Sequence, residues 1–180
     1  HSYCDWYIEF LKPIFGSKNK NQLKESRDFA SFIQYSILII LHPFVPFFTE
    51  KLWLDLKLDK HLKLPLMYKN WNLPIQPNSS IKKSYKKINW LIELVGNIRS
   101  TKVNLDVSPG LFIDISIEDL KSETKSIIVD NLSVFKRLAR VSNVYNYKAD
   151  KKGITIINGN ESINLYFNED VDLTEQKLKI

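Results

Sequence analysis

The stretch Leu41 to Trp53, LHPFVPFFTEKLW, restricts the fold more than any other part of the chain, because Pro43 and Pro46 interrupt its most apolar segment. A proline inside a helix removes a main-chain hydrogen bond and clashes with the carbonyl four residues back, so one straight helix cannot run through both. A membrane span is excluded on length: the uninterrupted apolar run, Ile37 to Leu41, is far short of the roughly 20 residues that a bilayer requires. The stretch therefore reads as a corner between packed helices. Pro46 fits the first turn of the second one, where a missing N–H costs nothing.

The periodicity on either side supports this. Tyr3, Trp6, Tyr7, Phe10 and Leu11 recur at helical spacing and predict an amphipathic helix ending before Pro13. A second helix is expected from about Gln22, with the stripe Phe29, Phe32, Ile33, Ile37, Ile40 and Leu41. Phe48, Leu52 and Trp53 give the third helix a face to bury. For the bulky residues Trp6, Tyr7, Phe44, Phe47 and Trp53, core packing is the preferred reading over base stacking. Leu54 to Ser80 reads as irregular. A fourth helix, capped by Ser79 or Ser80, is expected to reach about Val103 through Ile81, Tyr85, Ile88, Ile92, Val95 and Ile98.

After Ser108, Pro109 and Gly110 the period changes. Leu111, Ile113, Ile115 and Ile117 alternate with Phe112, Asp114 and Ser116 as in a strand, and Leu120 to Leu138 reads as a helix. Ile154 to Ile157 and Ser162 to Phe167 read as strands joined through Asn158, Gly159 and Asn160 as a hairpin. Asp172 and Glu175 have the spacing of a helix start. The expected fold is mainly α: an antiparallel helical bundle over residues 1–107, then a small α/β subdomain with a β-hairpin over 108–180.

Charge is unevenly distributed. Lys60, Lys63, Lys69, Lys82, Lys83, Lys86 and Lys87 fall in a stretch, 60–92, that holds no Asp or Glu, whereas residues 169–175 carry four acids and no base. Such a basic region suits a polyanion, and the competing reading is a solvated lysine-rich face. Lys82 with Lys86 and Lys83 with Lys87 are like charges four apart on a helix, an unfavourable arrangement that an anion opposite them relieves. Cys4 is the single cysteine, which argues against a disulfide framework and for a reducing, cytosolic setting. The chain begins at His1 with no basic flank or cleavage pattern of a signal peptide, and reads as part of a longer protein. There is no glycine-rich phosphate loop, no CxxC and no nucleophile beside a base. His42 reads as structural, and an active site is not expected.

Three blocks in order, CDWYIEFLKP (Cys4 to Pro13), LHPFVPFFTEKLW and NIRSTKVNLDVSPG (Asn97 to Gly110), resemble the carboxy-terminal part of the class I aminoacyl-tRNA synthetases of the valine, isoleucine and leucine group. The form of the first two is most similar to the valine branch. The resemblance is close from Cys4 to Gly110 and looser beyond. It implies an anticodon-binding helical bundle whose parent ligase is cytoplasmic and uses ATP and Mg in a catalytic domain elsewhere, so no cofactor is expected in this chain. The implied partners are tRNA(Val) and the upstream catalytic domain of the same polypeptide, with neither membrane nor DNA. The same domain of an isoleucine or leucine enzyme, a basic membrane-surface domain and a basic protein-interaction module are the alternatives.

The family pattern also implies site residues. Ile8, after the DWY triplet, falls near the anticodon-reading face, and Lys12 follows on the same side. Arg99 and Lys102, three apart, are expected to clamp one phosphate. Tyr85 and Trp71 stand among Lys69, Lys82, Lys83, Lys86 and Lys87, the mixture of stacking and phosphate contacts by which single-stranded RNA is held.

Overall fold

The structure is a computed structural model and describes residues 2–16, 19–57, 64–71, 76–149 and 153–167. It is mainly helical, with a four-stranded mixed sheet in its second half. Its contacts divide it into two compact units, one formed by residues 1–10 with 77–180 and the other by 11–76. This differs from the boundary expected at 107/108. The fourth helix goes with the sheet because its apolar face enters the sheet's core.

The first segment is a wide, π-type turn over Ser2–Tyr7 that continues into α1, Ile8–Phe15. Pro13 lies inside α1 and does not end it. In the 11–76 unit, α2 (Lys20–Leu41) starts on an Asn19 cap whose side chain accepts from the Gln22 N–H at 3.2 Å. The corner follows, and α3 (Pro46–Leu56) carries Pro46 at its start. A 3₁₀ turn occupies Leu66–Tyr68.

The corner is held by its own polar residues. The Thr49 hydroxyl is buried, shares a 2.8 Å hydrogen bond with Nδ1 of His42, and lies within hydrogen-bond distance of the Val45 and Pro46 carbonyls, at 3.0 and 3.1 Å. The Glu50 carboxylate crosses to the Leu66 N–H at 3.0 Å, capping the 3₁₀ turn, while Trp53 is buried and its Nε1–H donates to the Leu64 carbonyl at 3.0 Å. The core of this unit is Leu38, Ile39, Trp53 and Leu66. Phe44 and Phe47, expected in a core, are 79% and 92% exposed, and Phe29, Phe32, Ile40, Leu41 and Phe48 are exposed too. α2 and α3 pack on each other through Leu38, Ile39 and Trp53, and these exposed aromatic and aliphatic side chains lie outside that core.

In the other unit, α4 (Ser79–Asn104) is capped by Asn78, one residue before the expected serines, whose side chain accepts from the Ile81 N–H at 2.8 Å. Strand β1 (Ile113–Ser116) leads into α5 (Ser122–Asp130) and α6 (Leu132–Ala139), where one continuous helix was expected. Arg140 ends α6 in the left-handed region, at φ 53°. Strand β2 (Val141–Tyr145) follows, unanticipated from the sequence, then β3 (Gly153–Asn158) and β4 (Glu161–Phe167). The strand order is β2-β1-β4-β3, with β1 and β2 parallel and the other two pairs antiparallel.

Gly159 and Asn160 connect β3 to β4, and the φ of Gly159 is 63°, a conformation that glycine takes without strain. Leu91, Leu94, Val95 and Ile98 of α4, Ile113 and Ile115 of β1, Ile128 and Phe135 of the crossover helices, and Ile163 and Leu165 of β4 form one core, with Trp6 and Phe10 packed against it. The expected helix start at Asp172 and Glu175 lies outside the described residues.

Candidate nucleic-acid interface

The charged end of α4 is the candidate. The helix has 26 residues, about 39 Å at 1.5 Å each, and residues 79–86 are exposed all round, because the buried face begins only beyond them. Lys82, Lys83, Tyr85 and Lys86 lie on this free portion, with Tyr85 65% exposed and Lys87 half-buried at its base. Lys83 stands 3.9 Å from Glu123, an exposed pair. Among the described residues, Lys82, Lys86 and Lys87 have no carboxylate within ion-pair distance. The helix N-terminus adds its own partial positive charge to that of the lysines, so the arrangement is costly to the helix alone and favourable towards an anion.

The first segment presents a second candidate. Trp6 and Phe10, one turn apart, pack against the core, and Ile8 lies between them in sequence on the other side of the helix, exposed. Tyr3 and Tyr7 stack at 5.5 Å. Burial, and then Tyr3 beside it, push the Tyr7 hydroxyl above the usual tyrosine range, so it remains neutral at physiological pH. Lys12 is exposed one turn after Ile8 on α1.

In the 11–76 unit the Lys69 ammonium lies 5.5 Å from the centre of the buried Trp53 ring, and Trp71 is 61% exposed. Lys60 and Lys63 lie outside the described residues.

Arg99 and Lys102 are occupied differently from the expected phosphate clamp. Nε and Nη2 of Arg99 both donate to the Leu138 carbonyl, at 3.2 and 2.9 Å, and its guanidinium lies 5.7 Å from the Trp6 ring centre. Lys102 is buried, and its Nζ donates to the Leu111 and Ala139 carbonyls at 2.7 and 3.1 Å. Desolvation, then the nearby Arg140 and Arg99, lower its pKa to about 8. These two side chains brace α4 against the end of α6, and Lys102 is not placed to reach a phosphate.

Asn97 braces the other side. Its Nδ2 donates to Asn158 Oδ1 at 2.8 Å and to the Ile157 carbonyl at 3.3 Å. The NIRSTK segment thus sends successive side chains to different neighbours, a division of work that sequence spacing does not reveal.

A groove of about 680 Å³ lies between the last turns of α4 and β3, lined by Asn97, Ser100, Thr101, Asn104, Asp106 and the strand. Asp106 is its one charged lining residue, the wrong sign for a triphosphate. Among the described residues no three His, Cys, Asp or Glu side chains group as metal ligands, and no helix is long and apolar enough to cross a membrane.

The family model described as the anticodon-binding domain of tRNA ligase matches residues 1–117. The chain is 40% identical over 175 residues to the valine–tRNA ligase of Pelagibacter ubique (strain HTCC1062), a match covering 96% of this chain and 19% of that protein. It is 30% identical over 182 residues to the valine–tRNA ligase of Rhizobium meliloti (strain 1021), covering 100% of this chain and 19% of that protein. With the valine–tRNA ligase of Mesorhizobium japonicum (strain LMG 29417 / CECT 9101 / MAFF 303099) it shares 33% identity over 161 residues, 89% of this chain and 17% of that one. The chain therefore spans about a fifth of the length of the curated relatives it matches.

Proposed function

The chain belongs to the family of anticodon-binding domains of tRNA ligases, and from that premise we propose that it is the part of a cytoplasmic valine–tRNA ligase that holds tRNA(Val). ATP, Mg, valine and the chemistry of aminoacylation are assigned to the remainder of the longer polypeptide. The observation that carries the reading within the structure is the free, lysine-bearing end of α4. Four cations at a positive helix end, with an exposed tyrosine among them, make a landing site for a sugar-phosphate chain. Ile8 and Trp71 are the exposed apolar side chains offered to bases.

The test is a fluorescence titration of the chain with tRNA(Val) at several salt concentrations, repeated after replacing Lys82, Lys83, Lys86 and Lys87 by Gln. Each lost phosphate contact flattens the dependence of log K on log salt by roughly 0.7 to 0.9, so the expected change is about 1.5 to 3. An unchanged slope makes these lysines a solvated face and overturns the reading. Pyrophosphate exchange by the chain alone, free of host enzyme, would overturn the division of labour.

The exposed Phe29, Phe32, Phe44, Phe47 and Phe48 favour a second partner within the same reading, the upstream catalytic part of the polypeptide. Phe29 and Phe32 stack at 6.4 Å, and exposed aromatics of this size are the side chains that a partner surface buries.

A further inference from the structure

Arg99 stands where three elements meet. Its guanidinium faces the ring of Trp6 in the first segment, both donating nitrogens converge on the Leu138 carbonyl in the last turn of α6, and its own backbone is part of α4. Trp6 and Phe10 rest on the core along one line of the first segment. Two apolar contacts on one line fix where a helix lies but resist its rolling about its own axis only weakly. A planar cation on the indole, itself tied to a carbonyl, resists that roll. The roll decides where Ile8 points, because Ile8 sits between Trp6 and Phe10 in sequence and emerges on the opposite side.

We infer that Arg99 is the positioning residue of the anticodon-reading segment, setting its roll through Trp6 so that Ile8 is presented outward. The inference rests on the proposed tRNA-binding reading, and it gives Arg99 a role other than contact with phosphate. Lysine cannot substitute, since an ammonium lacks the planar fork that faces the ring and reaches the carbonyl with two donors.

The 180-residue chain is titrated with tRNA(Val) and with the same tRNA carrying a different anticodon, at three salt concentrations, as wild type, Arg99→Met, Arg99→Lys and Trp6→Leu. In all three variants the preference for tRNA(Val) is expected to fall about fivefold or more, while the affinity for the swapped tRNA stays within about twofold and the salt slope is unchanged. The double variant Arg99→Met/Trp6→Leu is expected to lose no more preference than either single one, because both break the same contact.

Equal weakening of both tRNAs with a slope flattened by roughly 0.7 to 0.9, restored in Arg99→Lys, makes Arg99 a phosphate contact and overturns the inference. A preference unchanged in folded Arg99→Met overturns it as well, as does loss of the far-ultraviolet circular dichroism of both Arg99 variants, which would make Arg99 a residue of the global fold. A wild-type chain that binds neither tRNA fails the functional reading itself and takes the inference with it, an outcome distinct from the others.

Discussion

Lys102 shows how a residue chosen for its charge can serve another purpose. Taking an ammonium out of water costs free energy, which two carbonyl acceptors offset in part, and two arginines nearby add repulsion. With a folded pKa of about 8 against 10.5 for the free side chain, the unfolded chain holds a proton between those values that the folded chain does not. The cost of the buried charge is therefore fully present below about pH 8 and is relieved as pH rises towards 10.5, by at most about 3 kcal/mol. Urea denaturation of wild type and Lys102→Met at pH 7 and pH 10 is expected to show the difference moving in favour of wild type at the higher pH. A second contrast lies in the corner. Trp53→Ala removes a core side chain and is expected to cost about 3 to 5 kcal/mol, whereas Phe47→Ala, at 92% exposure, should lie within about 0.5 kcal/mol of wild type in the isolated chain. Thermal melts of the two variants distinguish them directly.

At the scale of elements, two helical starts carry their caps in the adjoining sequence, and two borrow them. Asn19 and Asn78 precede α2 and α4 directly, as an N-cap should. The 3₁₀ turn at Leu66 is capped from α3 by Glu50, and α5 from the start of β4 by Glu161, whose carboxylate accepts from the Lys121 N–H at 2.9 Å and from the Thr124 hydroxyl at 3.2 Å. Glu161→Ala is expected to cost about 1 to 2 kcal/mol, read by chemical denaturation, through loss of both the hydrogen bonds and the favourable charge at a helix start. Gly153 presents a different constraint. A Cβ there would lie 2.6 Å from the Leu165 carbonyl oxygen and 2.8 Å from the Tyr166 ring. Gly153→Ala therefore has to move β3 or the ring, with an expected loss of about 1 to 3 kcal/mol in the same assay.

For the whole molecule the two units differ in how much they bury. The sheet unit holds a continuous core drawn from α4, the crossover helices and all four strands, whereas the 11–76 unit buries Leu38, Ile39, Trp53 and Leu66 and leaves several phenylalanines outside. Local opening free energy follows buried apolar contact. Hydrogen exchange of the isolated chain is expected to show slower amides in the second half of α4 and in β1 and β4 than in α2 and α3. Exchange of equal rate in both would mean that the exposed aromatics of α2 and α3 find cover in solution. This difference also fits the proposed assignment, in which the sheet unit stands on its own core and the helical pair is completed by the remainder of the polypeptide.

Much was legible in the residues themselves. Two prolines forced the corner, helical spacing marked the four main helices, alternation marked β1, and turn residues between two apolar runs marked β3 and β4. These are properties of neighbouring residues, and neighbours in sequence act on each other in any fold. The structure alone supplied β2, because Val141–Tyr145 is five residues with little alternation and becomes a strand by pairing with β1. It split one expected helix at Asn131. It exposed Phe44 and Phe47 while burying Trp53 a few residues on, and turned Lys102 from the surface towards two distant carbonyls. Hydrophobicity and charge state what a side chain seeks, but burial and pairing depend on what the rest of the chain brings within a few ångströms, and that is decided only when segments far apart in sequence meet.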